Sequence, residues 1–325
     1  MKIGIAGAGF MGETHARCYS KIEDAEIFAL AEKNPAKRDA FKEIFHPAKV
    51  YDDYLEMLND SEIDIIDICF PTPLHAQAAI TALNKDKHVL LEKPIALNLV
   101  DAMAIKKAAD SSKGKFMVAH VLRFWPEYAA IRNAIKDHLH NDVTEIYASR
   151  FNELPLWSEG TWIMSEEQSG GLIVDLMIHD IDFILWNLGK PRRVFCSAIY
   201  NEKNFAVQVM ASLQMENGSA AYIEGGYLNP CGAGLTTQMR VYGKDAMLEL
   251  YPNSCGSLKL TQRNNTAKEI KTSGDGYLEE IKYFIQCVRQ NKNPEIITID
   301  GAIDSLAVCL ELKRSLKEQK WIALS

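Results

Sequence analysis

Six residues near the start, Gly7-Ala8-Gly9-Phe10-Met11-Gly12, restrict this chain more than any other feature of it. Lys2 to Ala6 reads as a short buried strand, and a helical pattern follows the glycines through Ile22. A strand, G-x-G-x-x-G and a helix, in that order, make the context of a dinucleotide-binding turn. Gly7 permits the tight turn, Gly9 lets a pyrophosphate approach the backbone, and Gly12 lets helix and strand pack closely. The amides at the start of the helix then face the phosphate charge. A second strand, Glu26 to Ala31, ends at Glu32, twenty residues after Gly12, where a carboxylate can accept hydrogen bonds from an adenosine ribose.

At 325 residues the chain exceeds a single core, so two domains are expected. Its net charge of -7 gives no electrostatic footprint for nucleic acid, and no apolar run is long enough to cross a bilayer. Lys2 and the apolar stretch after it superficially resemble a signal peptide. Cleavage there would remove the first strand and the glycine turn, so that reading is set aside. Seven cysteines (Cys18, Cys69, Cys196, Cys231, Cys255, Cys287, Cys309) include no C-x-x-C pair. Their odd number and scatter imply reduced structural thiols and a cytoplasmic protein.

Up to about residue 120, strands alternate with helical patterns. Ile63 to Cys69, His88 to Leu91 and Phe116 to Ala119 are apolar strands, with helices expected from about His75 and over Leu99 to Ser111. The alternation predicts a doubly wound parallel sheet over 1–121, with ligands beyond the carboxyl ends of its strands. After about residue 143, strand-like runs follow one another: Glu145 to Phe151, Arg193 to Tyr200, Ala206 to Met215, Ser219 to Gly226, Gln238 to Tyr242 and Ala246 to Tyr251. They predict an α+β second domain, 122–325, on a mainly antiparallel sheet. Two late helices, about Leu278 to Gln290 and Ala302 to Gln319, complete the chain, and the domains are expected to pack with a cleft between them.

Glu92-Lys93-Pro94 places a lysine at the carboxyl end of a parallel strand, near where a nicotinamide would rest. Pro94 restricts Lys93 to an extended conformation. Farther on, an apolar segment reads as one helix from about Leu172 to Gly189, interrupted on one face by Asp175, His179 and Asp182. A buried ionisable stripe costs folding free energy unless it is paired or lines a wet cavity. It is read as an acid/base pair beside a substrate, against the plainer alternative of a satisfied core pair. Asp180 points away from the stripe and reads as a cap or hydrogen-bond partner. His15 and His120 are isolated and read as structural. No grouping resembles a closed zinc site, so no metal is expected.

Taken together, the glycine turn, Glu92-Lys93-Pro94 and Gly170-Gly171 with Asp175 and His179 resemble the Gfo/Idh/MocA family of oxidoreductases over residues 1 to about 190. The resemblance implies a Rossmann domain followed by an α/β domain on an open, mainly antiparallel sheet. It implies Lys93, Asp175 and His179 as the catalytic set, and places Pro71, Thr72 and His75 beside the cofactor. Arg123 is implied to reach the cleft, and Trp162 to cover the nicotinamide end or to serve as a packing aromatic. The cofactor-binding set is thus Gly7, Gly9, Phe10, Met11, Gly12, Glu32, Lys33, Pro71, Thr72, His75, Glu92 and Lys93. The substrate-binding set is Lys93, Arg123, Trp162, Asp175 and His179. Glu32 stands where the family commonly has Asp. Its charge repels a 2′-phosphate, which Lys33 and Arg38 could offset, so NAD is expected over NADP.

The expected activity is an NAD(P)-dependent dehydrogenase acting on a hydroxyl of a sugar, cyclitol or related polyol. Two alternatives are an NAD-dependent glycosidase with tightly bound cofactor and a non-catalytic nucleotide-sensing regulator. The resemblance implies that the open sheet of the second domain exposes one face, which predicts a homodimer or homotetramer.

Overall fold

A computed structural model describes residues 1–139, 142–155, 159–251 and 256–324. The chain divides into two compact units, Met1–Val121 with Asp275–Ile303, and Leu122–Gly274 with Asp304–Ser325.

Six parallel strands form the core of the first unit: β1 (Lys2–Ala6), β2 (Glu26–Ala31), β3 (Lys49–Tyr51), β4 (Ile65–Ile68), β5 (His88–Glu92) and β6 (Phe116–Ala119). Their order, β3-β2-β1-β4-β5-β6, is that of a Rossmann sheet, with the strand order reversing between β1 and β4. Near-continuous Ile, Val and Leu explain the burial of β4 and β5 on both faces, since helices cover a parallel sheet on each side. The connecting helices are α1 (Phe10–Tyr19), α2 (Pro35–Phe45), α3 (Tyr54–Leu58), α4 (His75–Leu83) and α5 (Leu99–Ser111). Asn34 caps α2 through the amides of Ala36 and Lys37, with Pro35 at the first helical position.

In the second unit, α6 (Pro126–Asp137), α7 (Glu166–Ser169) and α8 (Ile178–Leu188) accompany a sheet of nine strands. These are β7 (Val143–Glu153), β8 (Pro191–Tyr200), β9 (Ala206–Met215), β10 (Ala220–Asn229), β11 (Thr236–Gly243), β12 (Ala246–Leu250), β13 (Ser257–Gln262), β14 (Ala267–Lys271) and β15 (Ile322–Ala323). They lie in the order β14-β13-β12-β11-β7-β10-β9-β8-β15. Every pair is antiparallel except β7 with β10. Alternation sets the face each strand buries: Val209, Ala211 and Leu213 of β9 are in the core while Met210 is exposed.

The late helices are α9 (Gly276–Arg289) and α10 (Ile299–Glu318). The sequence reading kept both in the second domain, whereas α9 packs on α1 in the first unit. Ile281, Phe284 and Ile285 supply its buried face, and Asp275 caps it through the amides of Tyr277 and Leu278. An amphipathic helix must bury its apolar stripe, but nothing local in its sequence says against which unit.

Candidate functional site

In the first unit the glycine turn joins β1 to α1. Gly7 has φ 107, a conformation that favours glycine, and its amide donates to Ala31 O at 2.9 Å. A Cβ on Gly12 would overlap the Gly7 carbonyl oxygen, whereas one on Gly9 would meet nothing within 4 Å. The first glycine therefore turns the chain, the third lets α1 press on the strand, and the second leaves open space. No side chain caps α1 at Gly9, so the helix start suits an anion. Phe10 is exposed and Met11 half-buried beside it. The Glu32 carboxylate accepts from the amides of Ala8 (2.9 Å) and Asn34 (2.8 Å), which holds it against the turn. Lys33 is exposed, while Arg38 is tied to Asp52 and to the Glu32 carbonyl. These features fit a dinucleotide.

The other expected cofactor residues lie after β4 and β5, along the same carboxyl edge of the sheet. Pro71 is exposed and Thr72 buried, just before α4. His75 is buried with Nδ1 2.8 Å from Pro94 O and Nε2 2.9 Å from Phe70 O, so it ties the loop after β4 to the loop after β5. Burial outweighs these carbonyls and the Glu92 charge, and holds its pKa below the ordinary value. Lys93 is half-buried at the end of β5. Glu92 differs from the expectation of a cofactor contact: its carboxylate is buried, with Oε1 3.3 Å from His15 Nε2.

His15 also departs from its reading as an isolated structural residue. It is fully buried, and Nδ1 donates to Asp67 Oδ2 at 2.9 Å. Burial opposes a charge there, but Asp67 and Cys69 outweigh it and hold the imidazole well above its ordinary pKa. Ligand atoms of His15, Asp67 and Cys69 all lie within 4.8 Å of one another, a donor set with metal-binding chemistry. In this structure they bond to each other, with Cys69 Sγ 3.4 Å from Asp67 Oδ1.

In the second unit, the segment expected as a regular helix winds differently. Ile173–Met177 forms a π-helical turn and only then continues as α8. Such turns widen the helix locally and recur at functional sites. A Cβ on Gly225 of β10 would overlap Met177, so the glycine lets the sheet receive the widened turn. The expected stripe is divided. Asp175 and His179 are half-buried, whereas Asp182 is only 1% exposed. The Asp182 carboxylate accepts from Arg123 Nε (2.8 Å) and Nη2 (2.7 Å) and from Ser305 Oγ (2.9 Å). Both Asp182 and Arg123 are thus core partners, and Arg123, which also stacks on Trp186, differs from its reading as a substrate contact. Asp180 forms a second buried fork with Arg150, at 2.6 and 3.1 Å, the hydrogen-bond role expected of it. Trp162 is half-buried in the turn Glu159–Met164.

Tyr227, which sequence reasoning missed, donates its hydroxyl to Asp175 Oδ2 at 3.1 Å. Burial and the Asp175 charge push its pKa well above the ordinary tyrosine value, so it remains a donor. Its ring stacks on Phe205. Position on β10, fifty-two residues from Asp175, offered no sequence signal for the pair.

The Rossmann order and the open glycine turn define an NAD-binding oxidoreductase fold, and sequence comparison agrees. Residues 1–120 match the family model described as oxidoreductase family, NAD-binding Rossmann fold, and residues 128–249 match the C-terminal domain model of the same family. The chain belongs to the Gfo/Idh/MocA family. It is 24% identical to myo-inositol 2-dehydrogenase of Thermotoga maritima, over 100% of this chain and 98% of that protein. Identity to inositol 2-dehydrogenase of Rhizobium meliloti is 27%, over 100% and 99%. In fold it is similar to levoglucosan dehydrogenase solved with NADH, at a TM-score of 0.90 and 18% identity over 100% and 99% of the two chains. Among the described residues no helix is long and apolar enough to cross a membrane.

Proposed function

We propose that this chain is a dehydrogenase that interconverts a secondary hydroxyl and a carbonyl on a cyclitol, sugar or related polyol. The observation that carries the reading is two half-buried ionisable groups, Asp175 on the π-helical turn and His179 at the start of α8, next to α8 acids, Asp180 and Asp182, that pair with buried arginines. The cyclitol and sugar dehydrogenases among its relatives and structural neighbours support the substrate class. Gly7, Gly9 and Gly12 with the start of α1 would hold the pyrophosphate and Glu32 the adenosine ribose. Lys33, Thr72, His75 and Lys93 extend the cofactor set. Bound nicotinamide supplies the hydride acceptor, which leaves the proton to the chain. His179 takes the proton from the reacting hydroxyl, and Lys93 stabilises negative charge developing on the oxygen. Asp175, held by Tyr227, orients the substrate and supports the cation on His179. Trp162 is proposed as an aromatic wall for the substrate.

Glu32 and the engagement of Arg38 by Asp52 favour NAD over NADP. We assign cofactor binding to the first unit, Met1–Val121 with Asp275–Ile303, and substrate and oligomer to the second. We assign a homodimer or homotetramer to the exposed face of the second sheet, where Met210 and Tyr222 lie on neighbouring strands at 41% and 44% exposure. Thiols that burial keeps protonated, such as Cys18 at about 11, suit a cytoplasmic protein. The functional test is substrate-dependent reduction of NAD across a panel of inositols, aldoses and anhydrosugars. Activity confined to non-carbohydrate alcohols would remove the substrate class.

A further inference from the structure

An acid has no ordinary place inside a parallel sheet, yet β4 reads Ile-Ile-Asp-Ile and Asp67 is fully buried. A buried carboxylate is costly unless something pairs with it. His15 of α1, also fully buried, does so, with Nδ1 2.9 Å from Asp67 Oδ2. That pair alone would satisfy the core. Cys69, just past the end of β4, adds a third donor at the same point: its Sγ lies 3.4 Å from Asp67 Oδ1 and 3.7 Å from His15 Nδ1.

We propose that His15, Asp67 and Cys69 are the protein ligands of one divalent zinc ion, which clamps α1 to β4 beside the glycine turn. Imidazole nitrogen, carboxylate oxygen and thiolate sulfur are the three ligand types zinc takes. Zinc bonds of about 2.0–2.3 Å at tetrahedral angles place neighbouring donors about 3.3–3.6 Å apart. The separations here run from 2.9 to 3.7 Å, so side chains need move only slightly to close on an ion. Charge also balances, because a dication with one carboxylate, one thiolate and a neutral imidazole makes a neutral cluster in the core. Magnesium and calcium call for oxygen ligands throughout and do not match a set with sulfur. With the metal on Nδ1 the imidazole proton stays on Nε2, the nitrogen that faces the Glu92 carboxylate at 3.3 Å. Cys69 is half-buried at the carboxyl edge of the sheet, which gives an ion a way in and leaves the fourth position to water. The clamp spans the turn: His15 lies on the helix that follows it, and the Cys69 amide donates to Ala6 O, just before Gly7, at 2.9 Å. Stripped of metal, the three groups fall back on hydrogen bonds to one another, and only then can the imidazole carry a proton on Nδ1. No spacing in the sequence announces the set, since His15 and Asp67 are 52 residues apart.

The test titrates the chelator-stripped chain with Co²⁺ and then with Zn²⁺. One cobalt per chain should bind, with a thiolate-to-cobalt charge-transfer band and the strong d–d absorption of four-coordinate cobalt, and zinc should bleach both. Cys69→Ala should abolish the charge-transfer band and weaken zinc binding by about a hundredfold or more, and His15→Gln and Asp67→Asn by about tenfold or more. Cys18→Ala, which removes a buried thiol of the same helix, and Cys231→Ser, which removes an exposed one, should leave the spectrum unchanged. Zinc should raise the urea midpoint of the wild-type protein and not that of Cys69→Ala. If a variant fails to fold, the wild-type protein still decides: no cobalt or zinc retained at micromolar protein, or cobalt bound without a sulfur band, overturns the inference. A band that survives Cys69→Ala but is lost in Cys18→Ala or Cys231→Ser overturns it as well. Neither NAD nor a polyol enters the measurement, so its outcome is independent of the dehydrogenase reading.

Discussion

Gly9 and Gly12 separate cofactor binding from folding, because their surroundings differ although both belong to one motif. Gly9 has φ -80 and ψ -170, extended backbone open to any residue, and its Cβ would meet nothing within 4 Å. Gly9→Ala therefore fits the folded apoprotein. Alanine is the poorer N-cap but narrows the unfolded ensemble, so the net stability change stays within about 1 kcal/mol. The same methyl group would occupy the open space where a pyrophosphate has to reach the backbone. The expected loss of NAD affinity is at least tenfold, about 1.4 kcal/mol. Gly12→Ala is different, since its Cβ overlaps the Gly7 carbonyl oxygen. Moving α1 off the strand should destabilise the apoprotein by about 1–3 kcal/mol. Urea unfolding of each apoprotein, paired with NAD titration by tryptophan fluorescence, gives both quantities. Wild-type NAD affinity in Gly9→Ala would refute the placement of the pyrophosphate at this turn.

Four further outcomes are expected. Glu32→Ala should narrow or reverse the preference for NAD over NADP in fluorescence titrations; tighter NADP binding by the unmodified protein contradicts the ribose assignment. His179→Ala should lower kcat by about a hundredfold or more while NAD affinity is retained, and Asp175→Asn should raise KM and shift the pH–rate profile; near-normal turnover of His179→Ala would make it a structural residue. Asp180→Ala should cost about 3–5 kcal/mol in urea unfolding, because it leaves Arg150 charged and buried. The raised His15 pKa gives a stabilising contribution that is complete below about pH 6.5 and lost as pH rises through the folded value; urea midpoints should therefore show the advantage over His15→Gln shrinking toward alkaline pH, and growth with pH would reverse the sign.

Local pattern made the first unit readable. The glycine turn, the apolar strands and the acid at the end of β2 each act over a few residues, and the sheet order follows from right-handed crossovers. Short β3 was missed because Lys49-Val50-Tyr51 carries almost no pattern of its own. In the second unit the longer strands were legible, but β13 and β14 were not: the edge strand β14 carries Lys268, Glu269 and Lys271, and β13 offers only Leu258 and Leu260 among polar residues. Helical spacing put Asp175, His179 and Asp182 on one stripe, whereas Asp182 is buried against Arg123. A π-helical turn is a tertiary accommodation, made possible here by Gly225 on β10, and no periodicity announces it. The partners of Arg123, His15 and Tyr227 escaped for a common reason. Each lies 52 to 59 residues from its partner, and a lone charged or aromatic side chain does not reveal what it will meet.

Reduced nicotinamide, followed by absorbance while purified protein and NAD meet a panel of inositols and sugars, tests the central claim most directly. The account predicts stoichiometric accumulation of reduced cofactor and of the corresponding ketone with at least one cyclitol or sugar, abolished in His179→Ala. Hydrolysis of a glycoside without net cofactor reduction would identify transient oxidation as the main activity instead. Binding of NAD with no oxidation of any polyol, and no reduction of the corresponding ketoses, would contradict the assignment as a polyol dehydrogenase.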